Sequence, residues 1–415
     1  MKYGLIGERL GHSFSKEIHE QIGGYEYELV ELNEQEFHKF MESKNFKAIN
    51  VTIPYKEKVI PYLTHISKEA SEIKAVNTIV NKDGVLYGYN TDCLGLKEMI
   101  NHFNIDVFNK KVMILGTGGT SKTSHQVVKD LKAKDVMFVS LKKEDNTITY
   151  DQVDDYAKDI EVLFNTTPCE MYPNNDKEII SLDNFKKLSG VVDVVYNPLR
   201  TNLILKAKNK SINCCSGLFM LIAQAFYAIE IFLDKNLDKQ IIADLYQKMI
   251  NEKENIVLIG MPSCGKSTIG KKLAKKINKK FVDVDSEIEK IIKTDIASFI
   301  NQYGEEAFRK IESEVIEQLS KQNNLVIATG GGSILKERNV NFLKQNGRLY
   351  FLDRSLKNLC VTSSRPLSST YEALEKRYKE RYPIYNKVCD VKVNGDMNIS
   401  AIIKYIIQEK KLWKY

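Results

Sequence analysis

The chain runs to 415 residues, 43% hydrophobic and 28% charged, with a formal net charge of +7. That length exceeds one ordinary core and asks for two or three domains of soluble globular composition. Lysines interleaved with acids supply the positive excess, KKLAKKINKK (271–280) being the densest run; no aromatic–basic pattern accompanies them, which argues against nucleic acid and leaves the charge to gather small anions. Seven cysteines lie scattered, with only Cys214 and Cys215 adjacent and no metal-type CxxC pair, so reduced thiols in a cytoplasmic protein are expected. The N-terminus lacks the apolar stretch of a signal peptide. Nowhere do about eighteen apolar residues run without charge, so no membrane span is expected.

Short apolar runs alternate with amphipathic helical stretches, the pattern of α/β architecture with largely parallel sheets. The predicted strands are KYGLIG (2–7), KAINVTI (47–53), KVMILG (111–116), DVMFVS (135–140), EVLFNTT (161–167), GVVDVVY (190–196), NIVLIG (255–260), FVDVD (281–285), LVIATGG (325–331) and RLYFLD (348–353). Residues 214–250 carry apolar residues at helical spacing and predict two helices. Polar NEKEN (251–255) follows as a short linker, placing the main boundary near Asn251. No internal repeat or low-complexity tract occurs.

The first stretch that carries chemistry is INVTIPYK (49–56), a strand ending in a turn that throws Lys56 out beyond Pro54. GYNTDCLG (88–95) presents Asn90, Thr91 and Asp92 before a helix, where Asp92 or Thr91 also suits an N-cap. Brought together, Lys56 and Asp92 donate a proton to a developing alkoxide while hydride arrives from the other side; the pair, not either residue alone, is assigned to proton transfer. Further on, KKVMILGTGGTSKTSHQVV (110–128) reads strand, glycine turn, helix, with Ser121 where the third glycine of GxGxxG would stand. Such a loop alone is a weak dinucleotide signal. The next strand closes in FVSLKKED (138–145), where Lys142 and Lys143 precede the first acid, Glu144. That order favours the 2′-phosphate of NADP; two solvated turn lysines are the alternative.

GLIGERLGHSFSKEIHE, NVTIPYK, AVNTI, YNTD, GTGGTSK, NTTPCEM, DVVYNPLRT and GLFMLIAQA resemble shikimate dehydrogenases in order and spacing, over about residues 1 to 240. The resemblance implies Ser13 and Ser15 on the substrate carboxylate, with Thr52, Asn77, Asp92 and Gln224 holding its hydroxyls beside Lys56. It also implies Tyr196 bordering the substrate and Gly217 and Met220 near the nicotinamide. Gly116, Thr117, Gly118, Gly119, Thr120, Thr166 and Lys142 would contact the cofactor. Two positions depart from the family: Leu141 stands where an arginine usually clasps the 2′-phosphate, and Glu170 replaces the glycine of TPxGM. His12 and His19 are assigned no role.

In the second half, NIVLIGMPSCGKST (255–268) fits strand, then GxxxxGK[ST], then helix. Gly260 and Gly265 let successive N–H groups face phosphates at a helix N-terminus, Lys266 reaches the β and γ phosphates, and the Ser267 hydroxyl ligates Mg²⁺. FVDVD predicts Asp283 and Asp285 on one side of a strand end, one to hold the metal through water and one to accept a hydroxyl proton. Glycines 330–332 allow close ligand approach, while Arg309, Arg365 and Arg381 suit a small anionic alcohol gripped by its carboxylate.

The order GxxxxGKS, FxDxD, GExxFRxxE, GGG, RPL, RxPxY resembles shikimate kinases over nearly all of 254 to 415. It implies Asp285, Arg309 and Arg381 on shikimate with Gly331 and Gly332 beside them, and Asp283 near Mg²⁺. Pro262, Ser263, Cys264 and Thr268 would join the ATP loop, with Arg365 as the lid arginine on the phosphates. The lid segment SLKNLCVTSSRP (355–366) is shorter than usual and lacks an upstream arginine. Cys264, at a helix N-terminus, is expected to react with alkylating reagents unless ATP protects it.

The expected fold is therefore α/β throughout. A substrate-binding domain (1–95 plus 214–250) and a Rossmann-like NADP domain (96–213) precede the linker (251–255) and a P-loop kinase domain (256–415) with a parallel sheet. The expected chemistry is NADPH-dependent reduction of 3-dehydroshikimate to shikimate, then phosphorylation by MgATP to shikimate 3-phosphate. A quinate-preferring dehydrogenase beside a related small-alcohol kinase is one alternative. A kinase half reduced to a ligand-binding module is the other.

Overall fold

The computed structural model describes residues 2–11, 14–359 and 370–412; Ser13 and Arg365, and the second half of the lid segment, lie outside them. Two compact units divide the chain. Met1–Met171, Lys177–Asn197 and Lys206–Tyr246 form the first; Tyr172–Asp176, Pro198–Leu205 and Gln247–Tyr415 form the second. Among the described residues no helix is long and apolar enough to cross a membrane.

The first unit holds two sheets. In one, β1 (Tyr3–Gly7), β2 (Glu28–Glu31), β3 (Ala48–Val51), β4 (His65–Ile66), β5 (Thr78–Lys82) and β6 (Val85–Tyr89) lie in the order β2-β1-β3-β5-β6-β4. β1 runs parallel to β2 and β3, whereas β3, β5 and β6 alternate in direction. β1 and β3 are buried at every position, the polar Asn50 of β3 included. Asp83 and Gly84, at φ 50° and 85°, make the two-residue turn that pairs Lys82 with Val85.

The other sheet is parallel throughout: β7 (Lys111–Leu115), β8 (Asp135–Ser140), β9 (Thr147–Thr149), β10 (Val162–Asn165), β11 (Gly190–Asp193) and β12 (Asn213–Ser216), ordered β12-β11-β10-β7-β8-β9. Strand order reverses between β7 and β10, and a doubly wound sheet takes its ligand at the carboxyl ends of such a pair. Residues 214–216, expected in the substrate-binding domain, are instead the outer strand of this sheet, because β12 completes the ladder on β11.

Six helices matter below: α1 (Ser15–Gly23), α2 (Tyr55–Lys58), α3 (Thr91–His102), α4 (Gly119–Asp130), α5 (Leu218–Leu233) and α6 (Gln240–Lys253), which runs from the first unit into the second at Gln247. α5 buries Leu218, Phe219, Ile222, Phe226, Ile229 and Phe232, each contributing about 1.5–3 kcal/mol. It lies close against α3: a Cβ on Gly95 would stand 2.8 Å from the Met220 carbonyl oxygen and the Gln224 nitrogen.

In the second unit β13 (Asn255–Ile259), β14 (Lys280–Asp283), β15 (Leu325–Ala328), β16 (Gly347–Asp353) and β17 (Val391–Asn394) form a parallel sheet ordered β14-β15-β13-β16-β17. β13 is central and feeds its loop into α7 (Lys266–Ile277); α8 (Val284–Ile292), α9 (Ile296–Ser320) and α10 (Tyr371–Val388) complete the surroundings. NEKEN is not an open linker. α6 continues to Lys253 and β13 begins at Asn255, because Lys279 and Lys410 cap the helix end by donating to the carbonyls of Glu252, Glu254 and Asn251.

Two stretches from within the sequence of the first half belong to this unit. Buried Arg200 donates to Glu254 Oε1 (2.9 Å) and to the carbonyls of Lys344 (2.8 Å) and Gly347 (2.7 Å), while Arg348 donates to Glu254 Oε2 (3.0 Å). Asn175 and Asn202 both bond Gln345. A charge buried to this degree is tolerated only when it is paired and hydrogen-bonded, which is what Glu254 receives here.

Candidate active sites

The first site grows from the turn after β3. Pro54 opens α2, and Lys56 leaves that helix to meet Asp92, in the first turn of α3, at 2.6 Å. Asn90, not Thr91 or Asp92, is the N-cap: its Oδ1 accepts from Cys93 N at 3.4 Å, which frees the Asp92 carboxylate for Lys56. A cavity of about 310 Å³ surrounds the pair. Ser15, Thr52, Asn77, Tyr196, Gly217, Met220 and Gln224 line it, and Thr120 arrives from the glycine loop.

Their hydrogen bonds orient them. Asn77 Oδ1 accepts from Thr91 N (2.8 Å) and Thr78 Oγ1 (3.0 Å), which leaves its amide NH₂ as the donor end. Gln224 Nε2 donates to the Leu221 carbonyl (2.9 Å), leaving Oε1 as acceptor. Gly217 is dictated by sterics: a Cβ there would lie 2.0 Å from the Val194 carbonyl oxygen.

The glycine loop sits at the carboxyl ends of β7 and β10. Gly116 takes φ 101°, and a Cβ on it would press within 3.0 Å of Thr166 Oγ1, whose hydroxyl donates to the Leu115 carbonyl (2.6 Å). At Gly118 and Gly119 an added Cβ would meet nothing, so the backbone opens α4 towards free space, as a pyrophosphate at a helix N-terminus requires. That geometry fits a dinucleotide. Thr117 lies in the same loop. Lys142 is exposed in the turn after β8, beside an 89% exposed Leu141, and neither lines the cavity. Glu170, which replaces the family's glycine, is fully buried at φ 67° and accepts the Ile179 amide (3.1 Å).

Sequence reasoning passed over Asn50 and His19, which also line the cavity. Asn50 is held by the Tyr27 hydroxyl (2.7 Å) and by the Asn77 carbonyl (3.2 Å). His19 stacks on Tyr27 with centroids 4.1 Å apart and bonds the Tyr25 hydroxyl through Nδ1 (2.8 Å). Burial pushes its imidazole from the ordinary 6.5 down to about 3. Asn50 had a signal in the strand alternation of INVT; His19 had none.

The second site surrounds the loop 260–268, in a cavity of about 790 Å³. Pro262, Ser263, Gly265, Lys266, Ser267 and Thr268 line it, with Ser263 and Gly265 at φ 65° and 95° turning the backbone. Ser267 Oγ donates to Asp283 Oδ2 at 2.5 Å, which sets two hard oxygen donors side by side and fits Mg²⁺. Asp283 and Asp285 both line the cavity, yet not from one strand: Asp283 ends β14 and N-caps α8, and Asp285 stands in the first turn of that helix.

Glycines set the far wall. A Cβ on Gly332 would come within 2.4 Å of the Arg309 guanidinium, one on Gly331 within 2.8 Å of Pro262, and one on Gly330 within 2.9 Å of Asp285 Oδ1. Arg309 and Arg381 both line the cavity. Arg309 is braced by Glu312 (2.7 Å) and Glu305 (2.9 Å). Burial opposes its charge, but these two carboxylates outweigh it and hold the guanidinium above its ordinary pKa. Fully buried Glu312 also accepts from Ser333 Oγ (2.6 Å); its signal was the i,i+3 spacing within GEEAFRKIE. The Tyr385 hydroxyl lies 2.9 Å from the Gly260 carbonyl and 2.5 Å from that of Gly331, tying the phosphate loop to the glycine wall.

Lys266 lines the cavity while its Nζ donates to the carbonyls of Gly260 (2.8 Å) and Met261 (3.0 Å). One expectation fails here. Cys264 is no reactive thiol: it is fully buried in the hydrophobic core and does not line the cavity, so no alkylating reagent reaches it. Gly260 likewise stands behind the lining, at φ 146°.

Comparisons with known proteins agree with this division. A family model for the shikimate dehydrogenase substrate binding domain matches residues 5–79, and one for shikimate kinase matches residues 262–411. Shikimate dehydrogenase (NADP(+)) of Clostridium perfringens (strain 13 / Type A) is 38% identical over 266 residues, covering 60% of this chain and 97% of that protein. The crystal structure of shikimate dehydrogenase 1 from Peptoclostridium difficile is similar with a TM-score of 0.55 at 33% identity, over 60% of this chain and 98% of that one. A chorismate mutase/shikimate 5-dehydrogenase fusion protein from Clostridium acetobutylicum is similar at a TM-score of 0.57 and 33% identity, over 60% and 96%.

Proposed function

Because this chain belongs to the shikimate dehydrogenase family and carries a shikimate kinase domain after that region, we propose that it catalyses two successive steps. NADPH-dependent reduction of 3-dehydroshikimate yields shikimate, and ATP-dependent phosphorylation of that product yields shikimate 3-phosphate. The observation that carries this reading is that each residue set gathers around its own cavity, Lys56–Asp92 in one and Ser267–Asp283 in the other. The substrate-binding lobe is 1–95 plus the helices of 214–250, the NADP lobe lies between, and the kinase follows, in a cytoplasmic enzyme.

In the first cavity the bound nicotinamide supplies hydride. Lys56 Nζ holds and donates a proton to the oxygen of the reduced carbonyl, and Asp92 orients the ammonium at 2.6 Å. The Asn77 NH₂ and Gln224 Oε1, fixed by their bonds to neighbours, position the ring hydroxyls, with Thr52; Ser13 and Ser15 take the carboxylate. Gly217 and Met220 border the nicotinamide, and residues 116–120 with Thr166 cradle the cofactor phosphates. Lys142 is the 2′-phosphate contact.

In the second cavity bound MgATP supplies the phosphoryl group. Ser267 and Asp283 hold the metal, and Lys266, released from its loop carbonyls, takes phosphate charge with Arg365. Asp285 accepts the proton of the attacking hydroxyl. Arg309 and Arg381 orient the acceptor, with Gly331 and Gly332 allowing its approach.

The test is a single cuvette with protein, 3-dehydroshikimate, NADPH and MgATP, beside a Lys266→Ala control. NADPH loss and ADP formation should both appear, and only ADP formation should die in the control. NADPH loss with no ADP, even when shikimate is added directly, would refute the kinase step.

A further inference from the structure

The charges that face the first cavity do not balance. Among the described residues that line it, Arg9, Lys56 and Asp92 carry charge, and Lys56 and Asp92 offset each other at 2.6 Å. His19 adds nothing, because burial keeps its imidazole uncharged at neutral pH. Arg9 is left over: no carboxylate among the described residues pairs with it. A guanidinium does not lose its proton in a protein, so the cavity presents one net positive charge to whatever enters.

The chain fixes where Arg9 stands. β1 ends at Gly7 and runs straight into the turn that carries it. On one side of Arg9 the Glu8 amide donates to the Ile53 carbonyl (3.3 Å); on the other the Leu10 amide donates to Glu31 Oε1 (2.8 Å). Leu10 is buried, and a Cβ on Gly7 would come within 2.7 Å of its side chain and 2.6 Å of that of Thr52. The backbone is thus pinned on both sides of an exposed arginine at the rim of the cavity. Ser15, at the start of α1, lines the same cavity, so a hydroxyl and a guanidinium are both offered to an incoming anion.

We propose that Arg9 attracts and holds the carboxylate of the ketone substrate, so that the dehydrogenase cavity selects anions by charge as well as through the hydroxyls of Ser13 and Ser15. The inference rests on the dehydrogenase reading above and adds a residue outside the set which that reading assigned. Because Arg9 is exposed, its pull is that of a surface charge, modest and weakened by salt. A neutral molecule of the same shape gains nothing from it.

Steady-state NADPH oxidation by the full chain tests it at low and high ionic strength, in the wild type, Arg9→Gln and Arg9→Lys. At low salt KM for 3-dehydroshikimate should rise about fivefold in Arg9→Gln, leaving KM for NADPH unchanged. The gap between the two proteins should close as salt is added. Arg9→Lys should restore a KM near the wild-type value, because it keeps the charge. The neutral carboxamide of 3-dehydroshikimate, used as a competitive inhibitor, should bind wild type and Arg9→Gln alike. An unchanged KM for 3-dehydroshikimate in Arg9→Gln, a rise that salt does not erase, a rise in KM for NADPH instead, or equally weakened carboxamide binding overturns the inference and leaves the dehydrogenase reading standing. A wild-type protein that oxidises no NADPH with 3-dehydroshikimate overturns the reading, and the inference falls with it.

Discussion

Lys56 and Asp92 show what one contact decides. At 2.6 Å, with both side chains part-buried, each fixes the other's position in the first cavity. Lys56→Met should cut NADPH oxidation by about a hundredfold or more, the range for a positioned proton donor, while ADP formation from added shikimate stays intact. Equal loss of both activities would mean misfolding instead. His19 allows a pH prediction. Its folded pKa of about 3 lies below the ordinary 6.5, so between those values the unfolded chain binds a proton that the folded one refuses. Its contribution is complete above about pH 6.5 and is lost as pH falls, by up to about 1.4 kcal/mol per pH unit. His19→Phe should therefore lose less stability than wild type between about pH 7 and pH 5, read from urea midpoints. Parallel losses would show that His19 titrates alike in the folded and unfolded states. The residue scale is also where sequence reasoning stopped short. Lys56, Asp92, Ser267 and Asp283 were legible because their motifs fix short spacings. The inward turn of Cys264 and the bonds from Lys266 Nζ to loop carbonyls were not, since burial in the core and the choice of acceptor are settled by tertiary packing.

At the scale of elements, the parallel strands were readable because strands buried on both faces leave unbroken apolar runs. β5 and β6 escaped notice although Asp83-Gly84 is a strong hairpin signal, because their polar positions interrupt the apolar pattern. Close approach between elements decides which glycines are indispensable. A Cβ at Gly332 would collide with the Arg309 guanidinium, and one at Gly217 with the Val194 backbone. Gly332→Ala should thus abolish most ADP formation and spare NADPH oxidation, whereas Gly217→Ala should do the reverse. The two assays on the two purified variants check this crossed pattern; the same activity lost in both would contradict it.

For the whole molecule, the two units are not two consecutive pieces of sequence. Tyr172–Asp176 and Pro198–Leu205 belong with Gln247–Tyr415. No local pattern announced this, because Arg200 meets its carboxylate 54 residues along the chain. Removing one partner of a buried ion pair costs about 3–5 kcal/mol. Arg200→Ala should accordingly unfold the kinase unit several degrees earlier and depress ADP formation at elevated temperature, followed by calorimetry alongside the assay. An unchanged transition would mean that Arg348 alone satisfies Glu254.

That arrangement also sets an order of events on the ribosome. Translation proceeds from the N-terminus, so Arg200 leaves the exit tunnel before Glu254, Lys344 and Gly347 have been made. The connections that follow β10 and β11 must wait, incompletely docked, while some 150 further residues are synthesised. A nascent chain that stalls inside the kinase region would leave those two stretches without their partners. Quality-control proteases that patrol unfinished polypeptides would find there a mark distinguishing the half-made enzyme from the finished one.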